Sequence, residues 1–167
     1  MLGEIVFKLR AENSASISTV NGRLMHAAFF RQLQAAGPDQ SMHERMNIKP
    51  FTVSFLAPLG NLKAHHSTWQ VSRHDEFVWR VTALNEEIFR AAATIPIGEH
   101  IRVGELLLLI EDTHIEGESR EEFMFAARNY PPFSEITFRF ESPTTFRIDD
   151  RDAPYPRHPA GNQADAR

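Results

Sequence analysis

The sequence predicts an α+β protein with a ferredoxin-like sheet, two helices on one face of that sheet and extra strands near the C-terminus. Three observations lead to this prediction. Short runs rich in β-branched and aromatic residues alternate with two runs whose apolar residues recur at helical spacing. The order of these runs along the chain is β-α-β-β-α-β. A helix joins the first strand to the second, which suits a crossover connection.

Strands are predicted at residues 4–10, 51–56 and 76–84, where apolar and polar residues alternate around β-branched positions. Residues 11–19 and 61–74 are small or polar and are predicted as loops. One face of the third strand carries Phe77, Trp79 and Val81.

Two helices are predicted between these strands. The first covers about residues 23–36, with Asn21 as a candidate N-cap and Gly37-Pro38 as its end. The second begins after Asn85, which is a capping residue followed by two acids, and it continues towards Pro96. Their apolar stripes are Met25, Phe29, Leu33 and Ala36 on the first helix, and Ile88, Phe89, Ala92 and Ile95 on the second.

The last third of the sequence predicts further strands and a tail. Residues 100–114 indicate one long or bent strand, residues 123–127 a short strand, and residues 136–140 a last strand with clean alternation. From residue 149 the chain is rich in charge, proline and small residues. We therefore expect one ferredoxin-like domain over residues 1–148 and a disordered tail or linker over residues 149–167.

Composition excludes several classes of protein. The 167 residues contain no cysteine, which excludes disulfides, thiolate zinc sites and cysteine nucleophiles and fits a reducing cytoplasm. The N-terminus lacks the pattern of a signal peptide, and the longest apolar run, residues 106–110, is too short to span a membrane. Net charge is −4 overall, but residues 1–80 carry +3 and residues 81–167 carry −7. A polyanion would be drawn to the N-terminal half.

The loop between the first helix and the second strand holds His43 and Lys49. A histidine near its working pKa moves protons, and a lysine neutralises charge on a phosphorane. Together these residue types can cleave a phosphodiester without a metal. Taken alone, the two residues are better explained as a surface-loop histidine and an ordinary charge flanking a strand.

Basic residues elsewhere in the first half are candidates for contacts with phosphate. The histidines among them match no zinc motif in spacing, so neither a metal site nor a cofactor is predicted. The candidates are Arg23, Arg31, Arg45, Lys63, His65, His66 and Arg73.

Three short motifs resemble one known family. They are Phe138–Arg147 (FRFESPTTFR), Pro38 followed by His43 and Lys49–Ser54 (KPFTVS), and Val103-Gly104. In order and spacing they resemble the N-terminal half of the CRISPR-associated repeat-RNA endoribonucleases, which are RAMP-superfamily proteins of prokaryotic antiviral defence. The resemblance covers about residues 1–148.

The resemblance implies a metal-free mechanism. In this family the ribose 2′-hydroxyl attacks the adjacent phosphate and leaves a 2′,3′-cyclic phosphate and a 5′-hydroxyl. By position, His43 matches the catalytic histidine and Lys49 the lysine that stabilises the phosphorane. Some members place a tyrosine on the first helix, where this chain has Phe30. His26 lies one turn earlier on nearly the same flank. Two interpretations of it stay open: it replaces the missing phenol in an acid–base pair of histidines, or it is a structural histidine at the edge of the apolar stripe.

The family consists of two tandem ferredoxin-like halves, and nothing after Arg147 resembles the second. The resemblance thus implies repeat RNA, a C-terminal half in cis or in trans and further CRISPR effector subunits as partners, in the cytoplasm and without a membrane. It also implies that this chain alone binds repeat RNA weakly and cuts it slowly or not at all. Two alternatives remain: a non-catalytic RAMP subunit that binds RNA, and a small metal- or ligand-binding protein that uses the histidine-rich loop.

Overall fold

The computed structural model describes residues 2–36, 50–129, 146–148 and 151–153. The chain divides into two compact units, residues 1–131 and residues 132–167.

The first unit contains nearly all of the described elements. Its strands and helices are, in chain order, β1 (Leu2–Ala11), β2 (Ala15–Ser18), α1 (Gly22–Ala36), β3 (Phe51–Val53), β4 (Ala57–Pro58), β5 (Ala64–His65), β6 (Thr68–Val71), β7 (Glu76–Ala83), α2 (Glu86–Ala93), β8 (His100–Val103), β9 (Leu106–Glu118) and α3 (Arg120–Asn129). In the second unit, β10 (Phe146–Ile148) pairs with β11 (Arg151–Ala153) as an antiparallel hairpin.

The main sheet has the strand order β3-β7-β1-β9-β8, and β4 also pairs with β7. All of its pairs are antiparallel. The elements β1, α1, β3, β7, α2 and β9 follow the β-α-β-β-α-β order, with β1 central in the sheet. The predicted ferredoxin-like fold is therefore confirmed.

Both α1 and α2 pack on the same face of the main sheet, as predicted. Phe7 of β1 lies opposite Trp79 of β7 with ring centroids 5.4 Å apart, and both side chains are fully buried. Phe29 of α1 meets Trp79 edge-on at 6.0 Å. The burial of these aromatic rings and of the aliphatic residues around them is the main stabilising contribution to this unit.

Two glycines allow α2 to approach the end of the sheet. Gly3 of β1 lies opposite Gly117 of β9, and the Phe89 ring packs over both. A Cβ on Gly3 would stand 2.4 Å from this ring, and a Cβ on Gly117 would stand 2.7 Å from it. Since real side chains do not pack so closely, only glycine fits at these positions.

The second helix has the predicted cap. Oδ1 of Asn85 accepts a hydrogen bond from the Ile88 N–H at 2.9 Å. At the start of the first helix, the Asn21 carbonyl accepts the first helical bond from the Met25 N–H at 3.0 Å, as an N-cap residue does. The Asn21 side chain, however, makes its hydrogen bonds outside the helix.

The prediction of loops at residues 11–19 and 61–74 is wrong. Within them β2, β6 and β5 form a three-stranded antiparallel sheet, which we call the small sheet. Its inner face buries Ile17 and Val71, whereas its outer face is polar. The strands are short and rich in serine and histidine, so their alternation did not stand out against a loop composition.

Other boundaries also differ from the prediction. The strand expected at 100–114 is a hairpin of β8 and β9, because Gly104 takes a φ of +63° and turns the chain between them. The short strand expected at 123–127 lies inside α3, which begins with a capping box: the Ser119 Oγ and the Glu122 carboxylate each accept the other residue's N–H. The strand expected at 51–56 ends at Val53.

Several predictions fall on residues that the structure does not describe. The Gly37-Pro38 helix end and the strand at 136–140 lie outside the described residues. Residues 151–153, within the expected tail, are paired in β11. The domain boundary at residue 148 stays a prediction.

Candidate functional site

His26 lies on the flank of α1 that faces β3. Its side chain is half-buried. The imidazole stacks on the Phe51 ring with centroids 5.3 Å apart and planes 24° apart, and it meets the Phe30 ring edge-on at 4.8 Å. Phe30 also contacts Phe51 at 5.3 Å. Both phenylalanines therefore contact the histidine ring and restrict its orientation.

Phe51 connects this flank to the segment predicted to be catalytic. It is the first residue of β3, two positions after Lys49 in the sequence. The strand is fixed there, because Phe51 pairs with Ala83 and the Pro50 carbonyl accepts a hydrogen bond from the Leu84 N–H at 2.7 Å. His26 thus lies beside the strand that follows Lys49. His43, Arg45 and Lys49 themselves lie outside the described residues.

A buried asparagine sets where α1 begins. Asn21 is 1% exposed. Its Oδ1 accepts from the Leu56 N–H at 2.9 Å, and its Nδ2 donates to the Ser18 carbonyl at 3.1 Å. One side chain therefore joins the end of β2 and the chain after β3 at the first turn of the helix that carries His26.

Two of the predicted arginines, Arg23 and Arg31, lie on different sides of α1. Arg23 lies about 60° around α1 from His26, on the same flank, and its side chain is exposed. Arg31 lies about 140° away from His26. Its guanidinium donates to the Arg102 carbonyl of β8 at 2.5 Å, next to a similar bond from Gln32 to the His100 carbonyl at 3.2 Å. Arg31 is therefore engaged at the edge strand of the main sheet.

The predicted basic loop is the β5–β6 hairpin. Lys63, His65 and His66 are exposed, and the two imidazole rings lie edge-on with centroids 4.2 Å apart. Both residues of the turn, His66 at φ +48° and Ser67 at φ +60°, are left-handed, as in a tight type I′ hairpin. Glycine and asparagine are usual at such positions, so this turn carries backbone strain.

This strained turn is fixed to the segment that leads into α1. The Ser67 carbonyl accepts from the Thr19 N–H at 2.9 Å and from the Thr19 hydroxyl at 3.2 Å. Thr19 lies four residues before Arg23, so the fold brings the hairpin histidines and the start of α1 together. Arg73 is exposed in the turn between β6 and β7.

His74 belongs to the same basic loop that the sequence predicts as a candidate for phosphate contacts, and its side chain is exposed. It has a φ of +76°, and its Nδ1 lies 2.9 Å from an Nη of Arg10. Because arginine only donates, Nδ1 of His74 is the acceptor of this hydrogen bond. Arg10 also pairs with Glu111 at 2.5 Å and with Glu12 at 2.9 Å. No sequence pattern signals the contacts of Arg10 with His74 and Glu111, which lie 64 and 101 positions away.

The face of the main sheet opposite the helices carries several ion pairs. Lys8 bonds Glu76 at 2.7 Å and lies 3.6 Å from Glu111, while Arg80 bonds Glu4 at 2.6 Å. The hydrogen bond from Lys8 to Glu76 raises the pKa of that lysine. Carboxylates thus neutralise these cations, and this face offers a polyanion little attraction.

The described part of the chain contains neither a cluster of metal ligands nor a membrane-spanning helix. Within that part of the chain, no group of three histidine, aspartate or glutamate side chains is placed to hold a metal ion. In the same part, no helix is long and apolar enough to cross a membrane.

Comparison with known proteins relates the fold to one group of solved structures. No family model and no curated protein matches the chain. A Cas6 product complex is 22% identical and covers 93% of this chain, with a TM-score of 0.60. A CRISPR-associated Cas6 protein is 16% identical over 98% of this chain, with a TM-score of 0.56, and a Cas6-related protein from Pyrococcus furiosus is 13% identical over 72%, with a TM-score of 0.57.

These likenesses show that the chain has the fold of the Cas6 structures. The chain spans only part of them: 57%, 65% and 50% of their respective lengths.

Proposed function

We propose that this chain is the catalytic half of a metal-independent endoribonuclease that cleaves CRISPR precursor RNA within its repeats. The observation that carries the proposal is the placement of His26 against Phe51, at the start of the strand that follows Lys49. The shared Cas6 fold and the family motifs support the same assignment.

In the proposed reaction the ribose 2′-hydroxyl attacks the adjacent phosphorus. One histidine accepts the proton of that hydroxyl, and a second donates a proton to the departing 5′-oxygen. The O–P bond to the 5′-oxygen breaks, which leaves a 2′,3′-cyclic phosphate and a 5′-hydroxyl. This reaction needs no metal or other co-reactant.

His43 and His26 are proposed as this acid–base pair, and Lys49 as the cation that stabilises the phosphorane. In some family members a tyrosine on the first helix transfers a proton. Phe30, at that position, has no proton to give, and we propose that His26 transfers it instead. Arg23, on the flank of His26, is the best placed of the described arginines for a phosphate contact.

The experiment that tests the function separates cleavage from binding. His43→Ala, assayed with a repeat-RNA hairpin in EDTA and with the protein in excess, should lose cleavage and keep the affinity of the unmodified chain. Unchanged cleavage would contradict the assignment of His43.

A second function, a non-catalytic RAMP subunit that binds guide RNA, is favoured by Phe30, which stands where some family members have a tyrosine. In both functions we expect a C-terminal ferredoxin-like half as a partner, in cis or in trans. Saturable binding of repeat RNA without any cleavage, by the unmodified chain together with a C-terminal half, would select the second function.

A further inference from the structure

The small sheet presents an outer face that is polar and free of carboxylates. Register places Ser18, Thr68 and His65 in one row across its three strands, and Ser16 beside Gln70 in the next row. Four of these side chains are exposed, and Thr68 is half-buried. The inner face holds Ile17 and Val71 in the core, so the outer face cannot turn inwards.

This face lies in the part of the chain that lacks acids. Neither residues 13–38 nor residues 45–74 contain an aspartate or a glutamate. The first stretch supplies β2 and α1, and the second supplies β5 and β6. Folding pairs these two stretches with each other, so a surface without negative charge is built from strands that are distant in sequence. It contrasts with the ion-paired face of the main sheet.

The side chains of Gln70 and Ser18 accept hydrogen bonds within the face, and their own N–H and O–H donors are left for other partners. Oε1 of Gln70 accepts from the Ser16 hydroxyl at 2.7 Å, which leaves the Gln70 amide N–H groups to donate elsewhere. The Ser18 Oγ accepts from the Val20 N–H at 3.1 Å, which leaves its own hydrogen to donate. Phosphate oxygens accept hydrogen bonds but donate none, so such a face complements them.

The face also leads towards the proposed catalytic flank. Its His65 end is the strained hairpin turn, and the Ser67 carbonyl of that turn is bonded to Thr19 just before α1. Arg23 and then His26 follow along the helix. Lys63, His65 and His66 add positive or protonatable groups at the same end.

We propose that the outer face of the small sheet binds the sugar–phosphate backbone of a single-stranded RNA segment and leads that segment to the start of α1. This inference rests on the proposed function and extends it to residues outside the catalytic pair. The neutral donors Gln70, Ser18 and Thr68 hold the backbone, and the basic hairpin residues attract it.

The test is the affinity of this chain for fluorescently labelled single-stranded oligouridine and for a repeat RNA with single-stranded flanks. Gln70→Glu keeps the shape of the side chain and its bond from Ser16, but it removes the donors and adds a negative charge. We expect it to weaken binding by about tenfold or more. Ile97→Glu, which makes the same charge change at an exposed residue after α2, is the matched control and should leave binding unchanged.

Salt dependence separates the two kinds of contact. Gln70→Ala should lower affinity and leave the slope of log K against log salt unchanged, because no charge is lost. Lys63→Ala should reduce that slope by about 0.7 for a single strand. A changed slope for Gln70→Ala would contradict the proposed neutral contact.

Two negative results are distinguishable. If the unmodified chain binds both RNAs and Gln70→Glu binds equally well, the small sheet is not the RNA surface, while the proposed function stands. If the folded, unmodified chain binds neither RNA, the proposed function and this inference fail together.

Discussion

The imidazole of His26 stacks on the ring of Phe51 with centroids 5.3 Å apart and planes 24° apart. Phe51 is 6% exposed and begins β3, so a rigid strand holds one side of the histidine. A side chain with an unrestrained ring would have to be ordered during each turnover, whereas this one is already oriented. The stack therefore orients His26 for its proposed role in catalysis.

The first prediction concerns His26 itself. His26→Ala should lower the single-turnover rate of repeat-RNA cleavage by about 10²- to 10⁴-fold, the range for loss of a general acid or base, and should leave RNA affinity within a factor of about two. The measurement is a gel assay of product against time, with binding followed separately. His65→Ala, an exposed histidine in the hairpin, is the control and should keep the cleavage rate of the bound RNA.

The second prediction restores a proton donor at the neighbouring position. Phe30 contacts both His26 and Phe51, so a phenol at residue 30 would enter the same flank. Phe30→Tyr added to His26→Ala should recover part of the lost cleavage, and the recovered rate should fall as the phenol ionises near pH 10. No recovery in a correctly folded double variant would show that this flank of α1 does not donate the proton.

The third prediction treats Phe51 as a positioning residue. Phe51→Leu should retain an apolar side chain of similar bulk but lose the stack, with a cost of about 0.5–1.5 kcal/mol in the free energy of unfolding beyond the lost burial. We expect the rate of cleavage of bound RNA to fall while affinity stays the same. A loss of affinity with an unchanged rate would assign Phe51 to RNA binding instead.

The fourth prediction concerns the glycines beneath Phe89. Gly117→Ala should destabilise the chain by about 1–3 kcal/mol, because its Cβ would stand 2.7 Å from the Phe89 ring. Gly60→Ala is the matched control, since a Cβ at Gly60 meets nothing within 4 Å. Thermal or urea unfolding measures both variants, and equal stabilities would contradict the tight packing of α2 on the sheet.

The fifth prediction concerns the pH dependence of α3. Hydrogen bonds from the Ser119 backbone N–H and hydroxyl lower the pKa of Glu122 below its ordinary value of 4.5. A lowered folded-state pKa means that the stabilisation is present above pH 4.5 and is lost as the pH falls through the folded pKa. The stability difference between the unmodified chain and Glu122→Ala should therefore be constant near neutral pH and shrink below pH 4.5. A difference that grows on acidification would contradict the capping box.

The sequence predicted the parts of the fold that rest on strong periodicity. Phe77, Trp79 and Val81 alternate in a strand that is buried on one face, and the alternation is visible without any partner. The Asn85 cap was also predictable, because a cap involves residues only three apart. The small sheet was not, because β2 pairs with β6 about fifty positions away and the local partner of β6, β5, has only two residues.

Of the candidate site, too, the sequence predicted some residues but not their contacts. His26 was predicted by analogy with a phenol that the chain lacks, but its contact with Phe51 joins residues 25 positions apart and has no local signal. The engagement of Arg31 with β8 and the link from Ser67 to Thr19 likewise depend on the folded arrangement. The roles of His43 and Lys49 stay predictions.

The central claim is that His26 takes part in metal-free cleavage of repeat RNA by this chain. The most direct measurement is single-turnover cleavage in EDTA, with the chain in large excess over a repeat-RNA hairpin and with the ends of the products identified. We expect slow cleavage at one position in the repeat, a 2′,3′-cyclic phosphate on the upstream product, and loss of that product in His26→Ala. Cleavage that persists in His26→Ala, or saturated binding of RNA without any cleavage by the unmodified chain together with a C-terminal half, would contradict this claim.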